Sequence, residues 1–515
     1  MIVYHHYKVH CLPVLEVTSL RAHTMSSPQS TNESTGLRFV VSTDMKKPRP
    51  ELRKLIRSHV MLGKNSGKTY YPRARKPRKP KEKTAITDGD VPESFPLVTI
   101  PRKFGSDLST IPLADTVEPA IVDVVLRFSS IAKQVLFPLE TCIFFEGRAE
   151  AWIAPLTMDP AFLHAMIFTS QYYFDTVLSK TSSPVSQRTM PHYLKTLSLL
   201  RERFAHGDDQ ARLSNTTAVA ILGLAGHAHL TGDAKSAKHH LEGLHKIVSL
   251  RGGMGTFKSN VKLLVETLRC DLGIALHNGT RPLFFDDDPF SSGDECSIPY
   301  PDLTSLLNMQ TPSIPNTPAH STLLNGINKD LARAWQTMSD FCAVISYAVD
   351  SRQRISTDIF LDTMSSVMYR LLVDKNNVYE TNTFKADHDE AIRLGLLAFS
   401  CSVFLQWRSL GQGYAHFTAE FRGFLQRTLT VTDARFMSIS PQFAVWLLMV
   451  GAVSVLDAGD DEWLRPLLSA NVSLCGIDGE WSNMQQMLRG FMWVGLVHDV
   501  PGKALFNKTV ALRGQ

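Results

Sequence analysis

The stretch NTTAVAILGLAGHAHLTGDAKSAKHHLEGLHKIVSLRGGMG, residues 215–255, decides the fold class of this chain. Thr231-Gly232-Asp233 predicts a tight turn, and Asp233 carries the short acceptor side chain that favours a helix N-cap. Gly252 supplies the left-handed residue at which many helices end. Between them, apolar residues recur at helical spacing and predict a buried stripe, namely Ala237, Leu241, Leu244 and Val248. The stretch therefore predicts a helical hairpin.

Helical spacing recurs along almost the whole chain from about Ser94. At Asp159-Pro160, an N-cap residue precedes a proline suited to the first helical position, and an apolar stripe follows. No repeat recurs at a fixed period, and strand-like alternation with hairpin turns is not convincing anywhere. The chain is predicted to be all-α, a helical bundle or array of helical hairpins packed largely as antiparallel neighbours. The predicted helices cover residues 119–137, 190–205, 215–230, 234–250, 260–278, 326–349, 356–373, 387–407, 414–429, 441–457, 461–473 and 480–495.

Composition favours a soluble protein of a reducing compartment. Of 515 residues, 44% are hydrophobic and 20% are charged. The longest apolar runs, Phe443–Leu456 and Gly395–Trp407, fall short of the ~20 residues that cross a bilayer, so no membrane partner is predicted. The N-terminus does not resemble a signal peptide, and Met25 is a plausible second start. Seven cysteines occur singly, which excludes a disulfide framework and a cysteine-based zinc site.

Charge separates an N-terminal arm from the rest of the chain. Residues 46–83 contain 15 Lys and Arg against two Glu, a local charge of +13, whereas the whole chain carries only +5. The remainder therefore has a net charge of 5 − 13 = −8. We expect two regions, a largely disordered N-terminal region at 1–94 and an all-helical regulatory domain at 95–515. A long Pro-, Ser- and acid-rich loop at 284–322 and a polar break at 374–386 interrupt the helical domain.

The arm contains a stretch that resembles a phosphate-binding loop, MLGKNSGKTYYPRARKPRKPKEK at residues 61–83. Only three residues separate Gly63 from Gly67, one fewer than the phosphate loop requires, and no buried strand precedes them. Residues 50–62 are instead predicted to form a short amphipathic helix, and residues 64–83 a proline-broken basic tail. The candidate residues for nuclear localisation or nucleic-acid contact are Arg53, Lys54, Arg57, Arg73, Arg75, Lys76, Arg78 and Lys79. A solvated charge run without a specific partner is the alternative.

Motifs for metal binding and catalysis are weak. Five histidines lie between His227 and His245, but His240 and His245 point about 140° apart on a helix, unlike the i, i+4 pair of a zinc helix. The chain has no G-x-S-x-G nucleophile elbow, and GGMGTFK lacks the third glycine of a dinucleotide fingerprint. We expect no enzyme activity, no metal site and no cofactor.

The end of the predicted hairpin also resembles a known family. HHLEGLHKIVSLRGGMG is similar to the signature region of the fungal-specific transcription factor domain, in which an H-L-x-G-L core, apolar residues and Arg-Gly-Gly follow one another. The matching positions are His240, Leu241, Gly243, Leu244, Val248, Arg251, Gly252 and Gly253. The resemblance extends over about residues 38–60 and 95–500 and implies an all-helical regulatory body.

The chain departs from many members of that family at its N-terminus. Those members begin with a binuclear zinc cluster of six closely spaced cysteines, whereas only Cys11 precedes Cys142 here. The resemblance implies a nuclear transcriptional regulator of a metabolic or secondary-metabolite gene set. The expected partner is DNA, bound with little sequence specificity, or a DNA-bound regulator, and homo- or heterodimers are both open. The alternative is a helical scaffold that binds a DNA-bound partner and never contacts DNA.

Overall fold

The structure is a computed structural model, and it describes residues 112–129, 136–145, 152–178, 188–285, 299–308, 323–324, 326–373, 383–411, 413–429, 439–477 and 479–511. The chain divides into two units, Met1–Glu93 and Ser94–Gln515. The whole first unit lies outside the described residues. The predicted helix at 50–62, the basic tail at 64–83 and the disorder of the arm therefore stay predictions.

Within the described residues the chain is almost entirely helical, which confirms the all-α prediction. The α-helices are α1 (Pro119–Arg127), α2 (Ala154–Met158), α3 (Pro160–Tyr172), α4 (Thr189–His206), α5 (Asp209–Arg212), α6 (Asn215–Leu230), α7 (Ala234–Arg251), α8 (Val261–Asn278), α9 (Thr304–Asn308), α10 (Lys329–Ser351), α11 (Thr357–Val373), α12 (Thr383–Ser400), α13 (Ala415–Leu429), α14 (Pro441–Ser454), α15 (Asp461–Leu474), α16 (Trp481–Arg489) and α17 (Gly495–Ala511).

Short irregular helices and one small sheet connect these elements. The 3₁₀ turns are Pro138–Cys142, Met254–Asn260, Leu283–Phe285, Trp407–Leu410 and Ala458–Asp460, and the π-helical turns are Tyr173–Leu178 and Cys401–Leu405. Strand β1 (Ile143–Phe144) pairs in parallel with β2 (Ile355–Ser356), so that Ile143 lies opposite Ile355. The Thr357 hydroxyl donates to the Phe144 carbonyl beside this pair. The sequence did not predict this sheet, because two-residue strands have no readable alternation.

The hairpin of α6 and α7 forms as predicted. Asp233 caps α7 by accepting from the Ser236 amide, and Gly252 is left-handed with φ 97°. The Gly253 amide donates to the Val248 carbonyl and the Gly252 amide to that of Ser249, the Schellman arrangement that ends a helix. The predicted stripe Ala237, Leu241, Leu244 and Val248 is buried. At α3, Asp159 accepts from the amides of Ala161 and Phe162, as an N-cap residue should.

The sequence missed one long helix and several short ones. Helix α17 lies beyond the last predicted segment, and α2, α5 and α9 are only four or five residues long. Helix α9 falls inside the predicted loop at 284–322, and α12 begins at Thr383, inside the predicted break at 374–386. Most of that loop lies outside the described residues.

A continuous apolar core joins the described helices. In its C-terminal half, Trp335 of α10 packs on Trp446 of α14, with ring centroids 5.2 Å apart, and Phe443 stacks on Trp446 at 5.5 Å. The Trp446 indole donates to the Met492 carbonyl, so this buried polar group is satisfied. None of the described helices is long and apolar enough to cross a membrane.

Candidate ligand cavity

A half-enclosed cavity of about 190 Å³ lies between α3, α6 and α8, with Trp407 and Leu410 closing one side. Its lining is predominantly apolar and aromatic, and includes Phe137, Trp152 and Met166. Helix α6 contributes more lining residues than any other helix. Concave, largely apolar sites with a few polar groups are the usual form of small-molecule sites in proteins.

Two glycines open the α6 side of this cavity. A Cβ on Gly226 would meet no atom within 4 Å, so this position faces empty space. A Cβ on Gly223 would sit 3.5 Å from the Thr169 hydroxyl and 3.7 Å from the Phe168 ring, an ordinary contact with α3. The helix therefore approaches α3 at Gly223 and leaves room at Gly226.

A third glycine positions the opposite wall. A Cβ on Gly273 of α8 would lie only 2.3 Å from the Trp407 ring. Real Cβ atoms do not approach so closely, so Trp407 can pack against α8 only because residue 273 has no side chain. The Trp407 ring then stacks on Tyr414 with centroids 6.1 Å apart.

Two histidines of α6 line the cavity as neutral rings. The His227 ring packs against Phe168, Tyr172 and Tyr193 at 4.9 to 5.4 Å between centroids. The His229 ring packs against His277 at 4.7 Å and Trp407 at 4.8 Å. Burial lowers the pKa of His227 to about 4, and burial, with a contribution from the charge of His277, lowers that of His229 to about 4. Both rings are therefore uncharged near neutral pH.

A buried ion cluster borders the cavity at α8. Arg269, only 1% exposed, donates from Nε to the Phe404 carbonyl at 2.7 Å and from Nη1 to Glu140 at 2.6 Å. Lys262 pairs with the same Glu140 carboxylate and with Glu266 at 2.5 Å. Two cations thus face two carboxylates, and the cluster carries no net charge. It fixes the 3₁₀ turn Pro138–Cys142 and its apolar residues against α8.

Several buried polar atoms on lining residues have no hydrogen-bond partner, among them Nδ1 of His227, Nε2 of His229 and Nη2 of Arg269. His227 and His229 are 8% and 3% exposed, so bulk water does not solvate them freely. Buried polar groups are normally satisfied, and a group without a partner calls for an explanation. Each of these atoms exposes less than 1 Å² of surface, so they lie within the cavity wall and not on its surface.

A second cluster of buried hydrogen bonds connects α3, α4 and α6 beside the cavity. Arg203 of α4 donates to Asp159 at 2.7 Å and to Thr217 at 2.7 Å, and Thr216 donates to Asp159 at 2.5 Å. Burial pushes the pKa of Asp159 up, but the hydrogen bonds from Arg203 and Thr216 outweigh it and leave the pKa below its ordinary value. The carboxylate stays ionised and links the starts of α3 and α6 to α4.

The residues that carry the predicted family signature lie on α7 and directly after its C-terminal end, away from the cavity lining. Leu241 and Leu244 are buried in the core, whereas Gly243 is exposed and His240 is half-buried. Burial lowers the pKa of His240 below its ordinary value, against the opposing charge of Asp233. None of these side chains lines the cavity.

The Arg-Gly-Gly end of the signature contacts the first helix of the hairpin through its arginine. The Arg251 guanidinium donates to the Leu213 carbonyl at 3.0 Å and to the Asn215 amide oxygen at 2.8 Å, and it lies 4.3 Å above the Phe257 ring. Gly253 has φ 93° and ψ −179°, a conformation that only glycine adopts readily. Gly252 and Gly253 therefore end α7, and Arg251 joins that end to the start of α6.

The other candidate residues do not converge on a site. The eight basic residues proposed for nuclear localisation or nucleic-acid contact, from Arg53 to Lys79, lie outside the described residues. The histidines between His227 and His245 spread over both helices of the hairpin, and no cluster of three metal-ligating side chains occurs among the described residues. The cavity itself was not predicted, although the two glycines in LGLAGHAH are an unusual feature of a buried helix and could have indicated it.

Comparison with protein families identifies part of this body. Residues 130–268 match the family model of the fungal specific transcription factor domain. The matched range contains α3, α6 and the signature residues of α7, which confirms the recognition of that family there. The chain matches none of the curated proteins and none of the solved structures compared with it. The domain match supports a role in the regulation of transcription.

Proposed function

We infer, from the fungal specific transcription factor domain at residues 130–268, that this chain is a nuclear transcriptional regulator of the fungal type. The domain match is the observation that carries the proposal. The helical body is the regulatory part, and it has no catalytic role. The basic N-terminal arm, with its local charge of +13 in residues 46–83, supplies the attraction to polyanions.

The regulated genes belong, in this proposal, to a metabolic or secondary-metabolite biosynthetic set. Deletion of the gene should change the transcripts of such a set, and chromatin immunoprecipitation of the tagged chain should enrich the corresponding promoters. Unchanged transcripts together with no promoter enrichment would overturn the proposal.

Nuclear import is assigned to the basic tail. Changing Arg73, Arg75, Lys76, Arg78 and Lys79 to Gln should abolish nuclear accumulation of the tagged chain, because importin-type recognition depends on such clusters. A matched control removes five exposed positive charges elsewhere and should stay nuclear, by changing Arg201, Lys235, Lys238, Lys246 and Lys503 to Gln. Equal nuclear fluorescence of both variants would refute the assignment.

Direct DNA contact through the arm predicts strong salt dependence. If about five basic side chains contact phosphates at once, affinity should fall roughly 500-fold between 50 and 200 mM salt. Preference among unrelated duplexes should stay below about tenfold, since phosphate contacts carry no sequence information. The full chain and the full chain without residues 46–83 should be titrated with random and promoter duplexes. Salt-insensitive binding, or a strong preference for one duplex, would contradict this form of contact.

A second candidate function follows from the cysteine distribution. Residues 1–141 contain only Cys11, too few cysteines for a six-cysteine DNA-reading module within this stretch. The chain would then act as a helical scaffold, as a homo- or heterodimer or alone, on a regulator that is itself bound to DNA. Promoter occupancy that survives removal of residues 46–83 but disappears with the partner gene would favour this function over direct contact.

A further inference from the structure

We propose that the cavity between α3, α6 and α8 is a binding site for a neutral, flat, largely apolar small molecule. The proposal concerns binding alone and stands apart from the DNA contacts and the target genes.

The size of the cavity sets the size of the ligand. Its volume is about 190 Å³. An apolar protein cavity of roughly 150 Å³ stays dry and binds benzene, so this one has room for a two-ring aromatic compound. Gly226 supplies part of this room, since a Cβ there would meet no atom within 4 Å.

The charges around the cavity favour an uncharged ligand. Arg269 is already paired with Glu140 and Glu266, and Lys262 balances the second carboxylate. The rings of His227 and His229 are neutral near pH 7. An anion or cation would therefore lose its hydration without gaining a net opposite charge, and this loss is not recovered.

The walls favour an aromatic ligand. Trp407, Phe137 and Tyr172 line the cavity, and aromatic rings pack well in tilted and edge-to-face arrangements.

The probes that test this are 2-naphthol and 2-naphthoate, which share a two-ring body and differ in charge. With the purified full chain at pH 7.5, calorimetric titration should give 2-naphthol a Kd on the order of 10⁻⁵ to 10⁻³ M, as suits a ligand of about eleven heavy atoms. 2-Naphthoate should bind at least about tenfold more weakly, because the carboxylate finds no free cation. Equal or tighter binding of 2-naphthoate, or no 2-naphthol binding in this range, overturns the proposal.

A pair of matched variants locates the site. Gly226→Leu places a side chain in the cavity and should weaken 2-naphthol binding at least about tenfold. Gly243→Leu adds the same side chain at an exposed, open position of α7 and should bind 2-naphthol as the unaltered chain does. Equal affinity of the two variants places the binding elsewhere and overturns the proposal. The comparison of naphthol with naphthoate uses the unaltered chain, so it holds even if Gly226→Leu fails to fold. The proposed role in transcription does not depend on this binding site. If 2-naphthol fails to bind, the transcript changes expected on gene deletion are still expected.

Discussion

Helices α6 and α7 are consecutive, joined through Thr231, Gly232 and Asp233, but they serve the molecule differently. Helix α6 is buried on most sides and packs on α3, α7 and α8. Helix α7 buries one stripe and exposes the opposite face. The recognisable family signature lies on α7, where it ends the helix, whereas the cavity lies along α6. The comparison teaches that the residues by which the family is recognised are those that build the helical hairpin. The proposed small-molecule site lies instead along the neighbouring helix, α6.

The buried arginine beside the α6 cavity should matter more to stability than the signature arginine of α7. Arg269→Met should lower the free energy of unfolding by about 3–5 kcal/mol, because it removes the most deeply buried cation of a largely buried ion cluster. Arg251→Met should cost about 1–2 kcal/mol, the loss of hydrogen bonds from a partly solvated charged group. Urea denaturation at pH 7.5 measures both. A larger cost for Arg251→Met would reverse the contrast between the two regions.

Acid should destabilise the molecule through the histidines of α6. Their folded pKa of about 4 lies below the ordinary value of 6.5, so the unfolded chain binds more protons between these pH values. The stability that the neutral rings contribute is therefore fully present above pH 6.5 and is lost as the pH falls towards 4. The loss amounts to about 2 kcal/mol per ring at pH 5.

The double variant His227→Phe with His229→Phe should reduce the pH dependence of unfolding between pH 6.5 and 5 without abolishing it, because the buried His498, with a pKa of about 3, also stays neutral in the folded chain. The exposed His239→Gln of α7 serves as its control and should keep the slope of the unaltered chain. If the double variant also retains that slope, the α6 rings are not the groups that titrate on unfolding.

Replacing two glycines of the signature by alanine should change the stability of the protein in opposite directions. Gly253→Ala should cost about 1–3 kcal/mol, because φ 93° with ψ −179° is strained for any residue with a Cβ. Gly243→Ala should instead stabilise by up to about 1 kcal/mol, since the site is open and alanine favours the helix. Thermal unfolding of the two variants gives the signs directly. Two shifts of the same sign would show that the motif has a role beyond ending the helix.

Local signals in the sequence were enough for the hairpin but not for the cavity. Asp159, Asp233 and Gly252 act on residues next to them, so their roles could be predicted from neighbouring letters. Helix α17 was missed because Pro501-Gly502 lies inside it, and a Pro-Gly dipeptide usually marks a turn.

The cavity depends on contacts between residues far apart in the chain. Trp407 packs on Gly273, and Arg269 donates to the carbonyl of Phe404. Such pairs cannot be predicted from the spacing of residues along the sequence. The ion cluster of Glu140 with α8 could not be predicted for the same reason. The candidate residues of the arm were readable from charge alone, but their role stays a prediction.

The most direct test of the contrast between α6 and α7 is the difference in unfolding free energy between Gly226→Leu and Gly243→Leu. Both replace a helical glycine by leucine, so the gain in helix propensity cancels between them. The cavity predicts that Gly226→Leu is the more stable variant by about 1–2 kcal/mol, because its side chain leaves water for an apolar space, while that of Gly243→Leu stays exposed. Equal stability of the two variants, or a less stable Gly226→Leu, would show that α6 does not border an open apolar cavity.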